Sequence, residues 1–147
     1  MNVRDTLCRP HLDWIAKEPA SKAEIEQLAG RAKAELPAEY IQLLEFSNGG
    51  EGPLALVPLY FQLYTVKECI LRFHDNGHFL ENFPDFMFFG GNGGLEVIGF
   101  DLRHGPPWPV VMIDPIAGPE SAQQIAPDMA AFIEAIGLEA SGRDFPT

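Results

Sequence analysis

The chain has 147 residues, 46% of them hydrophobic and 21% charged, which suits one domain with its own core and leaves little room for a second. Its formal net charge of −11 is uneven: six Lys/Arg face five Asp/Glu up to Lys33, and four face sixteen from Ala34 onward. So acidic a body repels phosphate, which argues against nucleic acid as a ligand and for basic partners, and no stretch of about 18 apolar residues is present to span a membrane.

In chain order, Met1 to Arg9 lacks the apolar stretch and small-residue cleavage site of a secretory signal, so none is expected. Leu12, Trp14 and Ile15, bounded by Pro10 and Pro19, can anchor a short helix or an arm. Ser21-Lys22-Ala23-Glu24 is a capping box, and Ile25, Leu28, Ala29 and Ala32 follow at helical spacing, so a helix is predicted over Lys22 to Lys33. Leu36-Pro37-Ala38-Glu39-Tyr40 restarts the chain with proline at a favourable first-turn position. Tyr40, Ile41, Leu43, Leu44 and Phe46 give that helix an apolar face, and Ser47-Asn48-Gly49-Gly50 stops it.

Leu54 to Thr65 reads as one strand, with Pro58 marking a bend or an edge. Thr65 caps a helix over Val66 to His74, whose buried side is Val66, Cys69, Ile70 and Phe73. Phe86-Met87-Phe88-Phe89 suits a central strand. The turn Gly90 to Gly94 joins it to a strand over Leu95 to Asp101 as a hairpin. Pro109 to Asp114 is a third strand in this half. Ile125 to Gly137 reads as a closing helix with Pro127 near its start and Gly137 as its cap. The order predicts an α+β fold: a mostly antiparallel sheet with helices packed on it. The domain is expected to span residues 1–147, with a core over 21–137, an N-terminal arm over 1–20 and a tail over 138–147.

The chemistry-bearing residue types do not assemble into a catalytic pattern. Gly90 to Gly94 lies between strands and is followed by no Lys-Ser/Thr, so it is a hairpin turn rather than a phosphate cradle. His74 and His78 are four apart, but Asn76-Gly77 breaks the helix between them and no third ligand is near in sequence. Cys69 sits on an apolar helix face, where a thiol is packing; with Cys8 as the only other cysteine, reduced thiols in the cytoplasm are the simple expectation. Glu96 and Asp101 lie five apart on one strand and point to opposite faces, so they make no acid–base pair. No catalytic, cofactor or metal residue is assigned. The acids of the stretch Phe73 to Leu102, unaccompanied there by Lys or Arg, point instead to a protein-binding edge, in which Phe79, Phe83 and Phe86 either join them as exposed aromatics or belong to the core. Glu51, Asp75, Glu81, Glu96 and Asp101 are the candidate partner-binding residues, for a basic protein partner and neither nucleic acid nor membrane.

The order of motifs resembles the SUKH superfamily, which includes the fungal cell-wall-synthesis regulators of the Smi/Knr type. Leu36-Pro37-Ala38-Glu39-Tyr40, Leu43-Leu44 and Ser47-Asn48-Gly49-Gly50 are similar to its first signature. Phe88-Phe89-Gly90-Gly91-Asn92-Gly93-Gly94 and Gly99-Phe100-Asp101 are similar to its second. Asn92 stands where the second signature commonly has Asp, and Leu95 splits Gly94 from Glu96. The resemblance covers roughly Ser21 to Gly137. It implies an α+β fold without enzymatic activity, and for bacterial members an immunity protein that neutralises a polymorphic or contact-dependent toxin, often a basic nuclease. A regulatory or scaffold adaptor unrelated to toxins is the alternative, and a small hydrolase or metal-dependent enzyme the third reading.

Overall fold

Among the described residues seven strands, most of them made by short alternating or fully apolar runs, follow one another in chain order across one antiparallel sheet, β1 to β7. The computed structural model describes residues 1–32, 34–74 and 83–139. The strands are β1 (Ile15–Ala16), β2 (Gly50–Pro53), β3 (Tyr60–Leu63), β4 (Phe86–Gly91), β5 (Val97–Asp101), β6 (Val110–Ile113) and β7 (Gln123–Ala126). The helices are α1 (Val3–Leu7), α2 (Lys22–Arg31), α3 (Ala38–Phe46), α4 (Val66–His74) and α5 (Met129–Ala135), with a 3-10 turn at Pro119–Ser121. The fold is α+β, as the element order predicts.

Caps set the helix starts. Ser21 and Glu24 close a reciprocal capping box on α2, with bonds of 3.1 and 2.9 Å. Thr65 and Glu68 do the same on α4, at 2.9 and 3.0 Å. Asp128 accepts from Ala131 N at 2.8 Å to start α5.

The five helices of the described residues all place apolar side chains on one face of the sheet. Tyr40 and Leu43 from α3, Leu28 from α2 and Phe132 from α5 meet Phe61, Phe89, Ile98 and Phe100 from the strands. Aromatic rings form the centre: Phe61 meets Phe132 edge-on at 4.9 Å, and Phe89 lies 4.7 Å from Phe100. The opposite face of β4 to β6 carries a second apolar cluster of Phe86, Phe88, Val97, Val111 and Ile113, covered in part by Phe83. Burial on both faces is why Phe86 to Phe89 reads as a continuous apolar run instead of an alternating one.

Three expectations change. The single strand over Leu54 to Thr65 is part of a hairpin: β2 precedes it, the apolar residues 54–59 form the connection, and only Tyr60–Leu63 is strand. Leu59 there takes a φ of 76°, outside strand geometry. The closing helix is shorter than predicted, because Gln123–Ala126 pairs with β6 and Pro127 precedes the Asp128 cap. Around Leu12, Trp14 and Ile15, where a short helix or an arm is expected, the chain forms a strand: β1 pairs with β2, and Val3 and Leu7 before it are buried. Gly137 holds this junction. Its N–H donates to Pro53 O and its carbonyl accepts from Asp13 N, both at 2.8 Å, at a φ of 79° that glycine adopts freely.

Candidate functional site

Among the described residues, helices cover one face of β1 to β3 and none covers the other. Strand alternation sorts the side chains: Phe61 and Leu63 enter the core, while Tyr60, Gln62 and Tyr64 face outward and are half-buried. The register sets Glu51 opposite Gln62, and Gln62 opposite Gly91. The outward row is therefore Glu51, Gln62 and then the bare backbone of Gly91. The Tyr60 hydroxyl donates to the Glu51 carboxylate, and Gln62 Nε2 donates to the same oxygen at 3.3 Å.

These bonds act on Glu51 more than anything else around it. The Tyr60 hydroxyl, then the Gln62 amide, hold its carboxyl below the usual carboxylate range, and Lys17 adds a smaller pull. The Tyr60 phenol is raised for the same reason. At neutral pH the pair is a fixed negative charge with an aromatic beside it. Beyond this row, toward the sheet edge, a groove of about 790 Å³ opens between β1 and the β2–β3 hairpin. Trp14, Ile15, Pro53, Leu59 and Tyr60 line it, with Asp13 and Glu139 at its margin. Ile15 and Leu59 are exposed, at 59% and 45%, far above what core packing leaves.

The remaining predicted site residues are distributed differently. Asp101 is buried, and Arg103 claims both its oxygens: Nε and the backbone N–H donate to Oδ1, and Nη2 donates to Oδ2, all at 2.9–3.0 Å. The Arg103 guanidinium holds its carboxyl below the ordinary range, and the arginine also lies over the Phe86 ring at 5.0 Å. Asp101 thus presents an ion pair, not a bare charge. It shares the outward face with Glu51, separated by roughly 20 Å of sheet at ordinary strand spacings. Glu96 is half-buried beside the β4–β5 turn, on the opposite face from Asp101 by alternation. Asp75, Glu81, Phe79 and His78 lie outside the described residues, as does the side chain of His74. Phe83 and Phe86 are buried in the second apolar cluster, so of the two readings open to them, exposed edge or core, the core one holds.

Tyr60, Gln62, Ile15 and Leu59 are not among the candidate partner-binding residues of the sequence analysis. The signal was there in the alternation Tyr60-Phe61-Gln62-Leu63-Tyr64, which marks a strand with one wet face. Their meeting with Glu51 depends on strand register, which no local pattern supplies.

Burial pushes the Cys69 thiol up to about 11, so it is a protonated packing group 3.5 Å from the Tyr40 hydroxyl. Among the described residues no three His, Cys, Asp or Glu side chains are grouped to hold a metal ion, and no helix is long and apolar enough to cross a membrane. The chemistry open to the outward face is hydrogen bonding, charge pairing and aromatic contact.

The model of the SMI1 / KNR4 family (SUKH-1) matches residues 19–135. The chain belongs to this family. The match spans from just before α2 to the end of α5, so it takes in the α3 signature, the β4–β5 hairpin and the whole outward face of β2 and β3. No curated protein matches the chain. Asn92, which replaces the usual acid of the SUKH second signature, bonds its side chain to Gly94 N at 2.9 Å and so supports the turn by itself.

Proposed function

We propose that this SUKH-family chain is a non-enzymatic protein-binding domain that acts in the cytoplasm as an immunity protein, neutralising a basic toxin domain, such as a nuclease, by covering its working surface. The observation that carries this reading is the outward face of β2 and β3, over which no helix of the described residues packs. There an ionised Glu51, braced by Tyr60 and Gln62, adjoins an exposed apolar rim of Ile15 and Leu59. A tyrosine beside apolar anchors with charge at the margin is the make-up of a protein interface. A standard interface covers about 800 Å² on each partner, enough to take in both Glu51 and the Asp101–Arg103 pair. The excess of acids steers a basic partner toward the chain and disfavours competing acidic ones. From sequence, Asp75, Glu81 and Glu96 are assigned to the same partner, Glu96 from the β4–β5 turn beside this face rather than on it.

The test is co-expression with the protein encoded next to it. A stable complex that protects cells from that neighbour's toxicity is expected, with Glu51→Lys and Tyr60→Ala each weakening both. A neighbour that is toxic but neither bound nor neutralised would overturn the reading. A complex with a harmless neighbour would replace it with the adaptor role.

A further inference from the structure

At the other end of the molecule, α3 and α5 begin side by side. The loop 106–108 closes over their first turns and leaves a cavity of about 290 Å³. Leu36 and Met129 are buried at its base. Trp108, half-buried, forms one wall with Pro106 and Pro107. The rim carries three carboxylates, Glu35, Glu39 and Asp128, and among the described residues no Lys or Arg lines the cavity.

Asp128 is engaged in capping α5 through Ala131 N. Each helix start brings roughly half a positive charge, so the two together offset about one carboxylate. Roughly two negative charges remain, set around a flat aromatic wall. An anion is therefore excluded in spite of the two helix starts. A fully hydrated ammonium is poorly served, because most of the lining is apolar. A guanidinium suits both features: it is weakly hydrated, stacks flat on indole and proline, and directs its N–H groups sideways to carboxylates.

We propose that this cavity receives an arginine side chain presented by a protein partner. The charge complementarity and the aromatic wall carry the assignment, which stands whether or not that partner is a toxin. The cavity is small for a free cofactor-sized ligand and ample for one side chain.

The probe is the blocked peptide acetyl-Gly-Arg-Gly-amide, titrated into the full chain while amide and indole N–H resonances are followed by NMR. Saturable shifts confined to Trp108, Glu39, Met129 and their neighbours are expected, with a dissociation constant of roughly a millimolar for so small a ligand. The citrulline peptide, equal in shape but uncharged, should bind about tenfold more weakly, and so should the arginine peptide to the Glu35→Gln/Glu39→Gln variant. That variant keeps side-chain size at the rim, and its own spectrum reports whether the fold is intact. Trp108→Leu should abolish the shifts. No saturable shift, equal binding of the citrulline peptide, or equal binding of the lysine peptide would each overturn the proposal. Tighter binding of agmatine than of the peptide would overturn it too, by moving the ligand from a protein side chain to a free amine.

Discussion

The indole Nε1 of Trp14 donates to the buried hydroxyl of Ser47 at 3.4 Å. The same hydroxyl accepts from Lys17 N at 2.9 Å and donates to Gly49 O at 2.6 Å. One oxygen therefore joins the N-terminal strand, the end of α3 and the start of β2, and it fixes where Trp14 lies against Phe61, 5.9 Å away.

Ser47→Ala strips three partners at once and leaves a backbone N–H and a carbonyl without their bond. A loss of about 1–3 kcal/mol is expected in urea unfolding. The amides around Lys17 should exchange faster than those of α2 in the same variant. Equal exchange in both places would show that β1 does not depend on Ser47.

Two glycines give opposite signs for one substitution. A Cβ on Gly99 would lie 2.3 Å from Met87 O and 2.7 Å from Phe88 Cα, both backbone across the β4–β5 ladder. Gly99→Ala should cost about 2–3 kcal/mol by overpacking. A methyl added at Gly30, near the end of α2, would meet nothing within 4 Å. Gly30→Ala should stabilise by about 0.5–1 kcal/mol through helix propensity alone. Chemical denaturation of both variants checks the pair.

Cys8 is exposed and Cys69 is buried, with its thiol pushed up to about 11. Ellman's reagent should titrate one thiol promptly at pH 8 in the folded protein and the second only after denaturation. Prompt reaction of both in native buffer would contradict the packing of Cys69 under Tyr40.

Acid sensitivity follows from the two braced carboxylates. Arg103 lowers Asp101, and Tyr60 lowers Glu51. A carboxyl depressed in the folded state contributes stability that is complete above its unfolded value, near pH 4, and disappears as the pH falls through the folded value below that. Urea midpoints should therefore hold from pH 7 to about pH 5 and drop toward pH 3. Asp101→Asn should lose about 1 kcal/mol at pH 7, a modest figure because Arg103 is 45% exposed, and should show a shallower acid drop. Parallel pH profiles for the two proteins would remove Asp101 from the account.

The sequence was most readable where the determinants are local. The Ser21–Glu24 box starts α2 because both halves of it lie within four residues. Thr65 marked the start of α4 equally well. It was least readable where apolar content and secondary structure part company. Leu54 to Leu59 is apolar enough for a strand yet makes the β2–β3 connection, while Gly50–Pro53 lacks any strand-like pattern yet pairs residue for residue with Tyr60–Leu63. Ile125 looked helical beside Met129 and Phe132, but Pro127 and the Asp128 cap divide strand from helix there. The Glu51–Tyr60 bond, which defines the candidate face, spans a hairpin whose register the local sequence does not encode. The burial of Phe86 is legible in the unbroken apolar run of β4, whereas that of Phe83 depends on the sheet having a second covered face.

Strand order that follows chain order leaves each rung of the sheet bonded to what was made just before it and what comes just after. A longer turn between two such neighbours adds little closure entropy, on the order of 0.6 kcal/mol for each doubling, and moves no other pair. The outline of the open face can thus be recut one turn at a time while Tyr40, Phe61, Phe89 and Phe132 stay where they are. Changes of partner can therefore be met at the turns without ever refolding the centre.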